Sequence, residues 1–351
     1  MGSDGSLLVT LGDGAEYQSR DAGGRDPDLF LPGRTDPYED IGAFRAQYIG
    51  SLCGKLLRIN PANGLGYPSN PFYDGNPASV QSRLWAYGLR NPFRFTVRPG
   101  SGSTDPAVGN PGKIYVGDVG WDTWEEWDVV TQGGRNLGWP CYEGLSAPLD
   151  YWNATPAHHG CNTIGAGNPS PKSDPVSDWN HTNASQSHFP SGVLGNCALG
   201  SAFYTGTTYP SAYQGAYFYG DYGQNWIRTV QMNANDAQMS NTNASFATAT
   251  ESEVDLITSP VNADLYYVSI TAGKVRRIRY VGTGPNLPPT AVISATPTSG
   301  PAPLTVNFSS VGSSDPNGDV LSYSWDFGDQ SGRSRPTRPT STACRATTRQ
   351  R

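Results

Sequence analysis

Short apolar runs that end in turn residues recur along the chain. Residues 8–14 read Leu-Val-Thr-Leu-Gly-Asp-Gly, residues 114–120 read Ile-Tyr-Val-Gly-Asp-Val-Gly, and residues 217–223 read Tyr-Phe-Tyr-Gly-Asp-Tyr-Gly. Similar runs at residues 55–59 and 265–268 are bounded by Gly, Asn, Asp or Ser. Such runs predict short β-strands, and no segment has the long 3.6-residue period of a helix.

The three runs that end in Gly-Asp are almost equally spaced. Asp13 and Asp118 are 105 residues apart, and Asp118 and Asp221 are 103 residues apart. One blade of a β-propeller takes ~40–50 residues, so each step corresponds to about two blades. The spacing therefore predicts radially repeated sheets.

The pattern changes near residue 282. Residues 282–289 are rich in Gly and Pro, which is typical of a linker. A second β pattern follows at residues 290–329, and its last run has apolar residues at alternate positions: Leu321, Tyr323, Trp325 and Phe327. Because alternate residues share one face of a strand, this run predicts a strand of a β-sandwich.

The composition favours an all-β chain and excludes several classes of protein. The 351 residues include 42 Gly and 29 Pro, and only 15% of residues are charged. Gly and Pro together make up about 20% against a usual ~12%, which excludes a coiled coil, a helical bundle and a collagen. No apolar run reaches the ~20 residues of a transmembrane helix, and the sequence pI near 5.2 argues against nucleic acid as a partner.

The end of the chain differs in charge from the body. After Asp329 there is no acidic residue, but there are six arginines: Arg333, Arg335, Arg338, Arg345, Arg349 and Arg351. Residues 330–351 also lack apolar alternation. We interpret them as an out-of-frame or artefactual end, and the alternative is a genuine disordered basic tail.

The cysteines predict one disulfide. None of the five has the short paired spacing of a zinc site, and Cys141 and Cys161 flank a polar loop across which they are expected to pair. A disulfide favours an oxidising compartment, hence an extracellular or periplasmic location. The residues after Met1 lack the basic start and apolar core of a signal peptide, so either the chain begins inside a longer precursor or the protein is cytosolic.

Two regions resemble known families. Residues 1–281 resemble the glucose/sorbosone dehydrogenase family in six blocks that occur in the family's order: TLGDG (10–14), GKLLRI (54–59), WAYGLRNPFRF (85–95), GDVGWDTWEE (117–126), NLGWP (136–140) and YFYGDY (217–222). Residues 288–329 resemble a PKD domain, an immunoglobulin-like module of secreted and surface proteins. The motifs that carry this second match are PPTAVI (288–293), DPNGD (315–319) and YSWDFGD (323–329).

The resemblance implies the fold class, and both matches are incomplete. Family members are quinoprotein sugar dehydrogenases on a six-bladed β-propeller, which normally starts well before the first Gly-Asp block. A PKD domain has further strands after the motif that ends at Asp329. We therefore expect a six-bladed-type β-propeller that lacks its N-terminal blades over residues 1–281, a linker over 282–289, and a partial immunoglobulin-like β-sandwich over 290–329.

The resemblance also assigns roles to residues. In the family a pyrroloquinoline quinone (PQQ) lies over the propeller axis, and calcium polarises its reactive carbonyl. Arg90 and Asn91 match the catalytic pair that faces the quinone, Gly120 and Trp121 match the residues whose carbonyls bind calcium, and Gln18 matches a sugar-binding glutamine. The alternatives are that Arg90 is a buried arginine between blades and that Gly120 lies in an ordinary turn.

Other residues depart from the family pattern. The family's catalytic histidine falls just before the block that starts at Gly2, so it lies outside this chain. None of the four histidines present can be assigned as the base: His158, His159, His181 and His188. The cationic anchors for the quinone carboxylates do not appear, since residues 251–257 carry acids. Glu126 and Asp128 are candidates for a second calcium site, or are simply solvated acids.

Two functions follow from these observations. The first is quinone- and calcium-dependent oxidation of a sugar or aldose by a full-length parent, of which this chain is an inactive C-terminal piece. The second is a secreted carbohydrate- or surface-binding propeller without redox activity. Either function implies a sugar or polysaccharide partner, and the sequence leaves the oligomeric state open.

Overall fold

The structure is a computed structural model and describes residues 1–24, 39–154, 160–161, 172–282, 287–316, 321–326 and 345–349. The chain divides into two compact units, Met1–Ile278 and Arg279–Arg351. The regular secondary structure of each unit is almost all β-strand, so the all-β prediction is confirmed. Within the described residues, no helix has the length and apolar character needed to cross a membrane.

The first unit contains fifteen described strands. In chain order they are β1 (Leu7–Leu11), β2 (Lys55–Ile59), β3 (Leu84–Tyr87), β4 (Pro92–Val97), β5 (Ile114–Asp118), β6 (Trp124–Val130), β7 (Arg135–Asn136), β8 (Ser177–Asn180), β9 (Ala198–Phe203), β10 (Tyr217–Asp221), β11 (Trp226–Val230), β12 (Ala244–Thr248), β13 (Glu253–Thr258), β14 (Leu265–Ser269) and β15 (Lys274–Ile278). The helical pieces are one α-helical turn, α1 (Leu149–Trp152), and 3₁₀ turns at Gly42–Ala46, Gln81–Arg83, Pro106–Val108, Ala184–Gln186 and Ser211–Tyr213.

These strands form four described sheets. Their orders are β1-β2-β3-β7, β4-β5-β6-β8, β12-β11-β10-β9 and β13-β14-β15. Neighbouring strands are antiparallel, except that the two-residue strand β7 pairs in parallel with β3. Sheets of four antiparallel strands are the unit from which propeller blades are built.

Apolar side chains pack each sheet against the next. Between the first and second sheets lie Leu8, Leu56, Trp85, Ile114 and Val116. Between the second and third sheets lies an aromatic core of Tyr115, Trp127, Trp179, Tyr217 and Trp226. The third and fourth sheets bury Leu199, Phe218, Ile227, Leu256 and Leu265. This succession of faces is the packing expected of consecutive blades.

Two glycines allow the second and third sheets to approach closely. A Cβ at Gly117 would lie 2.0 Å from the backbone nitrogen of Gly200, and a Cβ at Gly200 would lie 2.3 Å from the carbonyl oxygen of Arg94. Any larger residue would force the two backbones apart. Glycine therefore stands in two of the strands, β5 and β9, for a packing reason.

Two of the three strands that lead into Gly-Asp occupy the same position in their sheets. β5 pairs with β4 on one side and β6 on the other, and β10 pairs with β9 and β11 in the same way. β1 pairs with β2 on one side only, and it is the edge strand of its described sheet. The sheet that contains β1 thus differs from the other two at the strand preceding Gly-Asp.

A buried ion pair fixes the start of the first unit. Asp4 Oδ2 accepts hydrogen bonds from Arg58 Nε at 2.9 Å and Arg58 Nη2 at 2.6 Å, and both side chains are fully buried. The same guanidinium donates to Asn70 Oδ1 at 2.7 Å and lies over the ring of Tyr67. A buried charge pair is held in this way only when its remaining donors are also satisfied.

The second unit contains four described strands: β16 (Ser294–Thr296), β17 (Asn307–Ser309), β18 (Ser322–Asp326) and β19 (Arg345–Arg349). β16 pairs with β17, and β18 pairs with β19. β19 belongs to the segment predicted as a tail. Val306, Phe308 and Trp325 form a small apolar core. Trp325 is buried there, whereas Tyr323, predicted on the same face of the strand, is exposed.

Candidate functional site

A buried aspartate closes the hairpin of the second sheet. Asp118, the last residue of β5, accepts hydrogen bonds from the backbone amides of Arg90 at 2.8 Å and Asn91 at 2.7 Å. These two residues immediately precede β4. Burial raises the pKa of Asp118 to about 7, although the two amides and the Arg90 charge act in the opposite direction. Asn91 is thus positioned by its backbone.

The third sheet repeats this arrangement. Asp221 Oδ2, at the end of β10, accepts from the amides of Asn196 at 2.8 Å and Cys197 at 3.0 Å, which precede β9. It also accepts from Trp179 Nε1 at 2.9 Å. Asp13 follows β1 and accepts from Trp139 Nε1 at 2.7 Å. Asp118 and Asp221 thus each form a carboxylate latch, meaning an aspartate that accepts from the two backbone amides preceding the neighbouring strand. The sequence pattern located these aspartates but did not reveal this role.

The guanidinium of Arg90 binds the loop after β5. Its Nη1 donates to the carbonyl oxygens of Val119 at 3.0 Å and Gly120 at 2.5 Å, and its Cζ lies 5.6 Å from the centre of the Trp139 ring. The Gly120 carbonyl was predicted as a calcium ligand. Here the oxygen accepts from a cationic side chain, and the guanidinium charge would repel a metal ion at the same atom.

Five carboxyl groups form an acidic centre: Asp13, Asp118, Glu125, Asp221 and Glu253. The charge of Arg90 acts on two of them, Asp13 and Asp118. Each of the five is buried, and burial raises the pKa of each one, to about 7 for Glu253. The charge of Asp221 raises the pKa of Glu125 and Glu253 further. Above these raised pKa values the carboxyls are anionic and disfavour a further anion beside them.

One of the four histidines is paired with this centre. His181 Nε2 lies 2.8 Å from Glu125 Oε1, and Glu125 Oε2 accepts from the amide of Ala198 at 2.6 Å. Burial lowers the pKa of His181, but the hydrogen bond and charge of Glu125 outweigh it, so the pKa is raised overall. His181 is thus committed to an ion pair. His158 and His159 lie outside the described residues.

Glu126 and Asp128 lie side by side on one face of β6. Both are buried, and Glu126 Oε2 accepts from the amide of Gly144 at 2.9 Å. Neither oxygen of Asp128 has a hydrogen-bond partner among the described residues. Burial raises the pKa of both carboxyls well above the ordinary range, and the nearby charge of Asp118 raises it further. Within the described ranges, no group of three or more metal-ligating side chains gathers here or elsewhere.

Replacing Asp128 with asparagine is expected to stabilise the protein more at pH 8 than at pH 5. A raised pKa means that the folded protein holds a proton that the unfolded chain releases above pH ~4, so the free energy of unfolding falls as pH rises through this window. Each unit of raised pKa corresponds to about 1.4 kcal/mol. Thermal melts at both pH values measure the effect. The exposed residue Asp122, changed to asparagine, is the control, and an equal shift at both pH values would contradict the expectation.

The predicted sugar ligand Gln18 lies apart from these contacts. Its side chain is exposed in the loop after β1, where Nε2 donates to the Tyr17 hydroxyl at 2.9 Å. Three residues after Gln18 the loop contacts the rest of the unit, because the amide of Asp21 donates to the hydroxyl of Tyr151 at 3.0 Å. The structure records no bond from Gln18 to Arg90.

Cys141 and Cys161 form a disulfide, with Cα atoms 5.3 Å apart. Both are buried in a cluster with Trp139 and Tyr151. Trp121 packs against this cluster, and its ring centre lies 4.9 Å from that of Tyr151. The disulfide therefore stabilises the buried cluster against which Trp121 packs. Cys53 and Cys197 are free thiols.

A cleft of about 680 Å³ opens beside Trp121. Its walls come from three loops, residues 121–124, 146–150 and 185–188. Glu143 lies at its base, where Oε1 accepts from four backbone amides at 2.6–3.2 Å: those of Trp121, Asp122, Thr123 and Trp124. Sequence reasoning missed this cleft and the role of Glu143, since no local motif surrounds that residue.

The arrangement of the described residues does not fit the cofactors that the sequence predicted. A calcium ion takes six to eight oxygen ligands, whereas the Gly120 carbonyl is bound by Arg90. A quinone with three carboxylates beside Arg90 would also meet Asp13 and Asp118, whose charges already act with that of Arg90. The residues present favour a neutral ligand over a metal-bound polyanion.

Sequence comparison matches two parts of the chain to known protein families. The sequence model of the family described as Glucose / Sorbosone dehydrogenase matches residues 1–277, and that of the PKD domain matches residues 286–343. HIPL1 protein of Arabidopsis thaliana is 29% identical over 281 residues, which are 76% of this chain and 34% of HIPL1. HIPL2 protein of the same plant is 31% identical over 192 residues, 50% of this chain and 24% of HIPL2.

Solved structures support the fold. A crystal structure of glucose dehydrogenase has a TM-score of 0.52 and 19% sequence identity, and the match covers 80% of this chain and 62% of that one. At this identity the likeness concerns the fold alone. The chain spans about a third or less of the curated relatives it matches, and under two thirds of this structure.

Proposed function

Because this chain belongs to the glucose/sorbosone dehydrogenase family, we propose that it binds a carbohydrate and does not by itself oxidise one with quinone and calcium. One observation carries the proposal: the Arg90 guanidinium binds the Gly120 carbonyl inside a group of buried carboxylates. That arrangement opposes both a calcium ion and a polyanionic cofactor. A neutral sugar faces neither penalty.

A second candidate is quinone-dependent oxidation by a longer parent protein. It is favoured by Arg90 and Asn91, which stand at the family's quinone-facing positions and are held by Asp118. Among the described strands, β1 pairs with one neighbour, whereas β5 and β10 each pair with two. This free edge supports the idea that a further strand of such a parent pairs with β1. A general base from the additional part of the parent would accept the proton of the sugar hydroxyl, and a well-placed base contributes ~10²–10⁴-fold to the rate.

We also propose an extracellular or periplasmic location. The Cys141–Cys161 disulfide supports it, because such bonds persist in oxidising compartments. The PKD domain that follows supports a surface or secreted context.

A dye-linked assay with added PQQ, calcium and a panel of aldoses tests the redox part of the proposal. We expect no turnover by this chain, because the Gly120 carbonyl is bound by Arg90 and buried carboxyl groups lie beside it. Turnover by this chain would overturn the proposal. Turnover only by the upstream-extended parent, reduced at least tenfold by Arg90→Ala but not by the matched control Arg94→Ala, would establish the second candidate.

A further inference from the structure

We propose that the cleft between residues 121–124, 146–150 and 185–188 is the saccharide site, and that His188 is the residue that hydrogen-bonds the sugar. The inference rests on the proposed carbohydrate binding and names the place where it occurs. Apart from Trp121, which the sequence analysis singled out for its carbonyl, its residues belong neither to the acidic centre nor to the sequence-predicted site. The ligand would be a neutral mono- or disaccharide.

His188 is held in one orientation by two neighbours. Its Nδ1 lies 2.8 and 2.9 Å from the two oxygens of Asp178, whose side chain is only 2% exposed. Its ring stacks on Trp124, with centres 5.2 Å apart and planes inclined by 11°. A residue fixed on two sides loses little rotational freedom when it binds a ligand.

This orientation leaves the other ring nitrogen for a ligand. Because a carboxylate accepts hydrogen bonds, Nδ1 carries a proton, and in the neutral imidazole Nε2 is then the acceptor. Among the residues that the structure describes, Nε2 has no hydrogen-bond partner, and the side chain is 41% exposed on the cleft. A sugar hydroxyl can donate to such a nitrogen.

The remaining walls suit a ligand with many hydroxyl groups. Asp122 and Asp150 supply acceptors, and Ser146, Ser185 and Gln186 supply groups that donate and accept. Half-buried Trp121 contributes an aromatic wall, against which the C–H groups of a sugar ring can pack. The carboxylates disfavour an anionic ligand.

The size and rigidity of the cleft also fit. Its volume of about 680 Å³ lies within the ~300–1,000 Å³ of small-molecule sites. Glu143 fixes the 121–124 wall through four amides. Asp178 fixes the 185–188 wall through His188 and also accepts from the amide of Leu145 at 3.4 Å. Both walls are therefore shaped before a ligand arrives.

Ligand-observed NMR and calorimetry with glucose, galactose, mannose, xylose, maltose and cellobiose test the inference. His188→Ala is expected to weaken binding about tenfold, the equivalent of about 1.4 kcal/mol. His188→Gln restores part of the affinity, because its amide reaches the same region with a polar group. The indole N–H resonance of Trp121, assigned with Trp121→Phe, is expected to shift on titration.

The controls separate this inference from the proposed function. Asp178→Asn alters the orientation of His188 and is expected to weaken binding, whereas Asp255→Asn, on the exposed face of β13, leaves it unchanged. Melting temperatures show that each variant is folded. Unchanged binding by His188→Ala overturns the inference and leaves carbohydrate binding intact. Failure of the unaltered chain to bind any of the six sugars overturns both.

Discussion

Replacing Asp4 with alanine is expected to lower the free energy of unfolding by about 3–5 kcal/mol. The change removes the charge partner of Arg58, whose guanidinium is fully buried. Asn70 and the Pro106 carbonyl remain as acceptors, but neither carries a charge. An unpaired buried cation accounts for most of the expected loss.

Urea unfolding followed by tryptophan fluorescence measures this effect. Asp255→Ala is a matched control, because Asp255 faces Arg94 in an exposed pair at 3.9 Å. Exposed pairs contribute ~0–1 kcal/mol, so the control is expected to stay within that range. Equal losses for Asp4→Ala and Asp255→Ala would show that burial of the Asp4–Arg58 pair is unimportant.

Glu143→Ala is expected to cost about 2–4 kcal/mol and to abolish measurable sugar binding. One carboxylate oxygen accepts from four successive amides, and each amide left without a partner in a buried setting costs ~1–3 kcal/mol. Water that enters the cleft can accept hydrogen bonds from some of the four amides, so the total cost stays at about 4 kcal/mol or less. Since residues 121–124 form one wall of the cleft, binding is lost together with stability.

Glu143→Gln separates the charge from the geometry. Its amide oxygen can still accept from the loop, so the loss of stability is expected to be about half that of alanine. Glu16→Ala is the matched control, because Glu16 also accepts from backbone amides, those of Gln18 and Ser19, but in an exposed loop. A loss of stability from Glu16→Ala as large as that from Glu143→Ala would contradict the role assigned to Glu143 in fixing the 121–124 wall.

The strands were predictable because their pattern is local. The runs before Asp13, Asp118 and Asp221 each contain the apolar residues, the glycine and the turn that define a strand end, and the structure places β1, β5 and β10 there. Alternation placed Trp325 correctly in the core, but it did not predict that Tyr323, two residues earlier in the same strand, is exposed. Five or six consecutive residues carry all the information these predictions need.

The site was less predictable because its contacts join distant positions. His188 depends on Trp124, which is 64 residues away in sequence, and Glu143 binds a loop that begins 22 residues before it. The sequence around Gly120 shows a turn but not that Arg90, 30 residues earlier, binds its carbonyl. Such competition between a side chain and a metal for one oxygen is visible only in three dimensions.

The carboxylate latches also bear on the order in which the chain folds. Asp118 and Asp221 close loops of 24–28 residues within their own sheets, whereas the bond from Trp139 to Asp13 spans 126 residues. The longer closure costs about 1.3 kcal/mol more chain entropy, at ~0.6 kcal/mol per doubling of length. The two latched hairpins can therefore assemble as early local nuclei, and the Trp139–Asp13 bond, which links the segments after β1 and β7 of the first sheet, forms late. Weakening a latch should slow folding, while weakening the late bond should mainly speed unfolding.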